Sequence, residues 1–337
     1  MGSLGKWLIR ALLGLVVLLL IAIPLTVGWR PFIGPRARPV TTRTFERTPQ
    51  RLERGRYIAT ALSGCVYCHS PHDWNAPGDP IITAKLGAGG VMPFADLPGR
   101  IVAPNLTPDP ETGAGRWSDD ELARAIREGI GHDGRALFPM MPYGHYRHMS
   151  DEDLASVVVY FRSLPPINNP LPATEIIFPV KYLIRSVPEP ITSAVPEPDK
   201  SDRVKYGAHL ADQAGCSDCH TPQVRGQNVP GMEWAGGFAF SGPWGTVASA
   251  NITPDPSGIS YYDEALFLDV MHTDQVKARK LSPIMPVLIY GNMTDDDLKA
   301  IFTFLRTVKP VKHRVDNSEP PSDCKLCKQK HGGGSEN

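Results

Sequence analysis

The residues best placed to do chemistry are six cysteines, all in Cys-x-x-Cys pairs: Cys65/Cys68, Cys216/Cys219 and Cys324/Cys327. A histidine, His69 or His220, follows each of the first two pairs directly. Two thiols three positions apart can form thioethers to the two vinyl groups of one haem. The next residue then reaches the iron as proximal ligand, so Cys-x-x-Cys-His is an attachment signal for c-type haem. A redox dithiol or half of a zinc site competes for any single copy. Two copies, each inside a repeated frame and each followed by a Met-Pro loop, favour two covalently bound haem c groups. In the third pair Lys328 stands where the histidine would be, and ten residues follow Cys327. A disulfide, or a pair of free thiols in a mobile tail, is the reading there.

A haem held by histidine needs a sixth ligand, and His/Met ligation raises the potential of electron-transfer haems. Of nine methionines, Met141 and Met285 stand at matching positions, each before a proline in a loop. Core packing is the competing reading, since methionine fills gaps, but recurrence at equivalent sites favours ligation. The expected iron ligands are therefore His69 with Met141 and His220 with Met285. Met149 and Met293 also recur, one residue before a helix cap, where a staple-like packing role fits better. Met140 has no counterpart, because Ile284 fills its place. Asn105 and Asn251 either donate to a haem propionate or close their own loops as Asx turns. Trp117, Trp244 and Arg100 are further propionate candidates. His132, His145, His148, His209 and His272 have no repeated counterpart and are reserve ligands only.

These residues sit in a tandem repeat. Gly-Cys-x-x-Cys-His, Asn-x-Thr-Pro-Asp-Pro, Pro-x-Met-Pro and Met-Ser/Thr-Asp-x-Asp-Leu recur in that order, at 64–69, 105–110, 139–142 and 149–154, then at 215–220, 251–256, 283–286 and 293–298. Such order implies duplication of one unit. Each unit predicts a short helix into the cysteines, then a long Gly/Pro-rich loop. In the first unit a helix with a Ser118/Glu121 capping box follows. The last helix opens at Ser150 or Thr294. Leu154, Val157, Val158, Phe161 and Leu164, and Leu298, Ile301, Phe302 and Leu305, give it one apolar stripe. Pro165 and Pro310 stop these helices. Residues 166–202 read as a proline-rich linker with stiff pieces at 187–190 and 195–198. Its apolar part, 176–187, is expected to pack in a seam between the units rather than against a membrane. Residues 311–337 read as a flexible tail.

From Ala11 to Trp29 there is no charged residue, and Lys6 and Arg10 precede the run. That length can span a bilayer. The run exceeds a usual signal core and no Ala-x-Ala site follows, which favours an uncleaved anchor over a cleaved signal. Arginines on both sides leave orientation open by charge alone. Thioether attachment takes place outside the cytoplasm, which puts the globular part on the periplasmic side of a bacterial inner membrane. Net charge is zero, so there is no nucleic-acid footprint. With 34 prolines in 337 residues, short helices and stiff loops are expected.

The paired Cys-x-x-Cys-His units, Asn-Leu-Thr-Pro-Asp-Pro-Glu-Thr-Gly at 105–113 and Met-Pro-Tyr at 141–143 resemble the cytochrome c subunits of membrane-bound alcohol, aldehyde and gluconate dehydrogenases. The likeness runs from 50 to 310. It implies an all-α fold of two tandem cytochrome c domains, 50–165 and 203–310, after an N-terminal transmembrane helix within 1–30. It also implies electron transfer in a periplasmic respiratory chain, from a dehydrogenase or quinol-oxidising partner toward a terminal acceptor such as an oxidase. Those subunits carry three haem motifs, and Cys324/Cys327 sits where a third domain could begin. The alternative is a haem enzyme, such as a dihaem peroxidase or a thiosulfate-oxidising cytochrome. That would require an open or unusual sixth position at one iron.

Overall fold

The computed structural model describes residues 2–73, 76, 79–242, 245–276, 279–282 and 284–332. Trp244 and Pro283 lie outside the described residues. The apolar N-terminus is one helix, α1 (Ser3–Val27), of 25 residues. At ~1.5 Å per residue it is about 37 Å long, more than the ~30 Å hydrocarbon core of a bilayer. It is long and apolar enough to cross a membrane. It begins ahead of the uncharged run because neither Lys6 nor Arg10 disfavours helix. A short helix, α2 (Arg30–Ile33), follows.

The same series of helices then occurs twice. The first is α3 (Pro49–Tyr57), α4 (Cys65–Cys68), α5 (Asp119–Glu128), α6 (Tyr143–Tyr146) and α7 (Asp151–Ser163). A connecting segment carries α8 (Val180–Leu183). The second is α9 (Arg203–Gln213), α10 (Cys216–His220), α11 (Glu264–Thr273), α12 (Val287–Tyr290) and α13 (Asp295–Leu305). Side chains cap the helices where the sequence places caps. Ser118 Oγ accepts from the Glu121 amide at 3.1 Å while Glu121 Oε2 accepts from the Ser118 amide at 2.7 Å. Ser150 and Thr294 accept from Asp153 and Asp297 at 3.0 and 3.3 Å. The stripes of α7 and α13 are buried as expected, with Leu164 partly covered. Each fully buried aliphatic side chain contributes roughly 1.5–3 kcal/mol.

Each unit is held by its first helix crossing its last, α3 on α7 and α9 on α13, and both crossings turn on a glycine. A Cβ on Gly55 would lie 1.9 Å from Ser156 O, and one on Gly207 would lie 1.9 Å from Ala300 O. Gly55 lies ten residues before Cys65, and Gly207 nine before Cys216. The extra residue of the first unit is absorbed in a five-residue π-helical turn, Ile58–Leu62. Such a bulge lets a helix take an insertion without moving what it packs against.

The fold is mostly helical, with few strands. Short antiparallel pairs, such as Gly90–Val91 with Val102–Ala103 and Ala239–Gly242 with Gly245–Ala248, pair backbone groups of the Gly/Pro-rich loops.

The units are not independent bodies. Ile289 is buried in the core of the first unit, and Ala61 and Leu62 in that of the second. The Tyr57 hydroxyl bonds Asp297 across the seam, and His145 bridges Asp212 and Asp218 at 2.6 and 2.8 Å.

The apolar part of the linker does not fill that seam. Ile177, Phe178 (79% exposed), Tyr182 and Leu183 are open to solvent. α8 and the turn after it pack beside α2, where Arg185 donates to Pro31 O at 3.0 Å. α2 adds exposed Phe32 and Ile33, giving one apolar patch just beyond the end of α1.

The tail, finally, is pinned at His313, Asn317 and Cys327, while much of the chain between and after them, as far as residue 332, is exposed. His313 and Cys327 are 1% and 0% exposed, and Ser322–Asp323 pairs with Lys330–His331.

Candidate haem-attachment sites

α4 and α10 present the two Cys-x-x-Cys-His segments at equivalent places in the repeat. The four thiols are free of disulfides, and burial pushes them up to about 12, 11, 12 and 12 for Cys65, Cys68, Cys216 and Cys219. The decisive local geometry is at the histidines. His69 Nδ1 lies 2.9 Å from Pro104 O, and His220 Nδ1 lies 2.7 Å from Ala250 O. A carbonyl can only accept, so Nδ1 carries the proton in both rings and Nε2 keeps its lone pair. Burial also lowers both pKa values, which keeps the imidazoles neutral. A neutral, oriented imidazole whose other nitrogen is tied to backbone is the form that ligates a metal.

The loop after each histidine is pinned in the same way twice. The Gly89 amide donates to His69 O and the Gly236 amide to His220 O, each at 2.8 Å. Ser70 Oγ accepts from Gly87 N at 3.0 Å, and Thr221 Oγ1 from Trp234 N at 3.1 Å. Met141 packs against the same core as Cys65, and Met285 against the same core as Cys216. The Met loops share backbone bonds, with Tyr143 N to Met141 O at 2.8 Å and Val287 N to Met285 O at 2.7 Å. Met149 and Met293 are core residues, 1% and 3% exposed. A cavity of about 330 Å³ opens beside Cys68, with Met140 in its wall.

The other sequence candidates lie elsewhere. Asn105 Oδ1 accepts from the Thr107 amide and hydroxyl at 3.0 and 2.7 Å, while its Nδ2 donates to Thr112 Oγ1 and Ile167 O. Asn251 makes the same turn through Thr253 and donates to Val311 O at 2.8 Å. Both therefore close Asx turns and pin the chain that leaves each unit. Arg100 pairs with Glu175 at 2.7 Å, and Trp117 stacks on His132. His148 contacts Asp212, and His272 contacts Asp295.

Sequence reasoning passed over two tyrosines. Tyr146 donates to Ser63 O at 2.8 Å and Tyr290 to Ala214 O at 2.6 Å, tying each Met loop to the turn ahead of its cysteines. Both stand five residues after the methionine, a recurrence that could have flagged them. Tyr67 and Cys68 of the first attachment segment lie near Cys219 of the second, so the two segments are neighbours across the seam.

A duplicated Cys-x-x-Cys-His frame with oriented, neutral histidines defines a class of protein. The cytochrome c family profile matches residues 52–165 and 204–309, so the chain belongs to the cytochrome c family. Cytochrome c domains carry covalently bound haem c, and the donor set here fits that group. A nicotinate dehydrogenase subunit of Pseudomonas putida is 30% identical over 324 residues, 90% of this chain and 25% of that protein. The cytochrome c subunit of alcohol dehydrogenase (quinone) from Gluconobacter oxydans is 27% identical over 77% of this chain and 55% of its own length. A diheme cytochrome c-type protein of Cereibacter sphaeroides is 27% identical over 77% of this chain and 86% of its own length. The chain thus spans a quarter to about half the length of the first two.

Proposed function

We propose that the protein is a membrane-anchored dihaem electron carrier, with one haem on Cys65, Cys68 and His69 and the other on Cys216, Cys219 and His220. Met141 and Met285 complete the two irons. When bound, haem supplies a one-electron iron couple, whose potential a thioether ligand raises. The chain's own residues orient Nε2 through Pro104 O and Ala250 O, keep the imidazoles neutral, and hold the Met loops through Tyr146 and Tyr290. The observation that carries the reading is this frame occurring twice, with the two attachment segments meeting at one seam. A matched pair of Met loops favours carrier over haem enzyme. α1 and the apolar patch beside it support anchoring with the globular part against the periplasmic membrane face. Similarity to dehydrogenase cytochrome subunits supports a dehydrogenase as electron donor and an oxidase or similar protein as acceptor.

Met141→His and Met285→His test the assignment. Each should lower the potential of one haem and remove half of the near-infrared Met-to-iron charge-transfer band. Met140→Leu should leave that band whole. Ready cyanide binding by the wild-type protein at one iron would move that unit to the enzyme reading.

A further inference from the structure

The segment that the haem sites leave unused gathers four metal donors. His313, Cys324, Cys327 and His331 each bring one ligand atom to within 4.8 Å of the others. Folding assembles them from a His-x10-Cys-x2-Cys-x3-His spacing. Ser322–Asp323 pairs antiparallel with Lys330–His331, so the cysteines lie in the turn of a short hairpin. The Cys324 amide donates to Gln329 O at 2.9 Å, and the Lys328 amide to Cys324 O at 3.1 Å. Lys328 takes a left-handed φ of 61° to close that turn.

Both imidazoles are arranged as ligands. His313 donates from Nδ1 to Ala235 O at 2.8 Å, which leaves Nε2 at 3.4 Å from Cys324 Sγ. Among the described residues, His331 Nε2 is buried without a hydrogen-bond partner. Tetrahedral zinc with arms of ~2.3 Å to sulfur and ~2.0 Å to nitrogen has ligand–ligand edges of roughly 3.3–3.8 Å. The observed Sγ to Nε2 separation falls in that range. The wall is built for close approach. Cys327 is buried against Met232 and Ala235, and a Cβ on Gly237, at φ 90°, would lie 2.6 Å from His313 Cε1.

The first unit shows what the site replaces. There Asn169 Nδ2 donates to Ala88 O at 2.8 Å, two residues after Ile167, whose carbonyl Asn105 pins. In the second unit His313 makes the equivalent bond, two residues after Val311, whose carbonyl Asn251 pins. An imidazole has taken the place of an amide only where the cysteine hairpin is present to meet it.

We infer that His313, Cys324, Cys327 and His331 form a structural Cys2His2 zinc site that clips the C-terminal segment to the second haem unit. Binding converts two thiols to thiolates and releases two protons. The thiolate charge cancels that of Zn²⁺, and no electron moves. All four positions are filled by protein, the mark of a structural rather than a catalytic zinc.

The test is elemental analysis of the full-length, haem-loaded protein in detergent, purified without a histidine tag or chelator. About one zinc for every two irons is expected. Cys324→Ser and His331→Gln should each lower zinc by roughly tenfold or more while iron stays unchanged. His331 is the more exposed of the two imidazoles, so its variant remains readable if the cysteine change disturbs folding. Wild-type protein without zinc, lighter by two hydrogens, would mean a Cys324–Cys327 disulfide and overturn the inference. Zinc that persists equally in both variants would be adventitious and overturn it too. Iron is counted separately, so failure here leaves the haem assignment standing.

Discussion

Replacing Gly55 by alanine should loosen the first unit at its central crossing. The added methyl would sit 1.9 Å from Ser156 O, 2.5 Å from Ser156 C and 2.9 Å from Tyr160 Cβ. Ordinary carbon contacts are ~3.5–4.0 Å, so α3 and α7 must part by about 1.5 Å or bend. The nearest obstacles are backbone atoms inside a helix and cannot swing aside. Overpacking costs about 1–3 kcal/mol, occasionally more. Better helix propensity returns up to ~1 kcal/mol. A net loss of about 1–2 kcal/mol corresponds to a fall of roughly 5–10 °C in the thermal midpoint of a unit this size. Gly207→Ala should do the same in the second unit, where the methyl would meet Ala300 O at 1.9 Å. Gly144→Ala is the control, with nothing within 4 Å of its Cβ. Circular dichroism melts of the haem-loaded variants give the comparison. A Gly55→Ala protein that melts with wild type would refute the crossing as the fastening of the unit.

Other perturbations address the seam, the loops and the anchor. His145 donates hydrogen bonds to Asp212 and Asp218, and these raise its pKa to about 10, above its unfolded value of ~6.5. Its contribution is therefore complete below ~6.5 and is lost as pH rises through about 10. After screening it is on the order of 1–2 kcal/mol. His145→Gln should thus lower the melting point at pH 7, with the difference from wild type closing above pH ~10. Asn105→Ala should cost about 1–3 kcal/mol through its buried turn, yet leave the haem potentials almost unmoved in a redox titration. A large potential shift would restore the propionate role. Deleting residues 1–30 behind a cleavable signal should give haem-loaded protein that leaves the membrane fraction in high-salt washes. Retention of the truncated protein would transfer the anchoring to the apolar patch of α2 and α8.

Much of this was legible in the sequence because it repeats. The cysteine frames, the caps at Ser118, Ser150 and Thr294, and the buried stripes of α7 and α13 follow from local spacing, and local rules set them. What repetition could not reveal is how the two copies meet. Ile289, Ala61 and Leu62 look like ordinary core residues of their own units, and only the fold places them across the seam. The apolar stretch at 176–187 was misplaced for the same reason, since composition does not say which surface it joins. His313 and His331 escaped notice because ten and three residues of chain separate them from the nearest cysteines. The hairpin that gathers them is a tertiary event. Asn105 and Asn251 show the converse: an Asx turn and a propionate contact share one sequence signature, and hydrogen-bond partners decide between them.

Intact mass of the membrane-purified protein, followed by haem detection on its proteolytic fragments, bears most directly on the dihaem reading. The account predicts a gain of two haems, one on the fragment holding Cys65 and Cys68 and one on that holding Cys216 and Cys219. A third haem on Cys324 and Cys327, or a single haem with either of the other pairs unmodified, would contradict it.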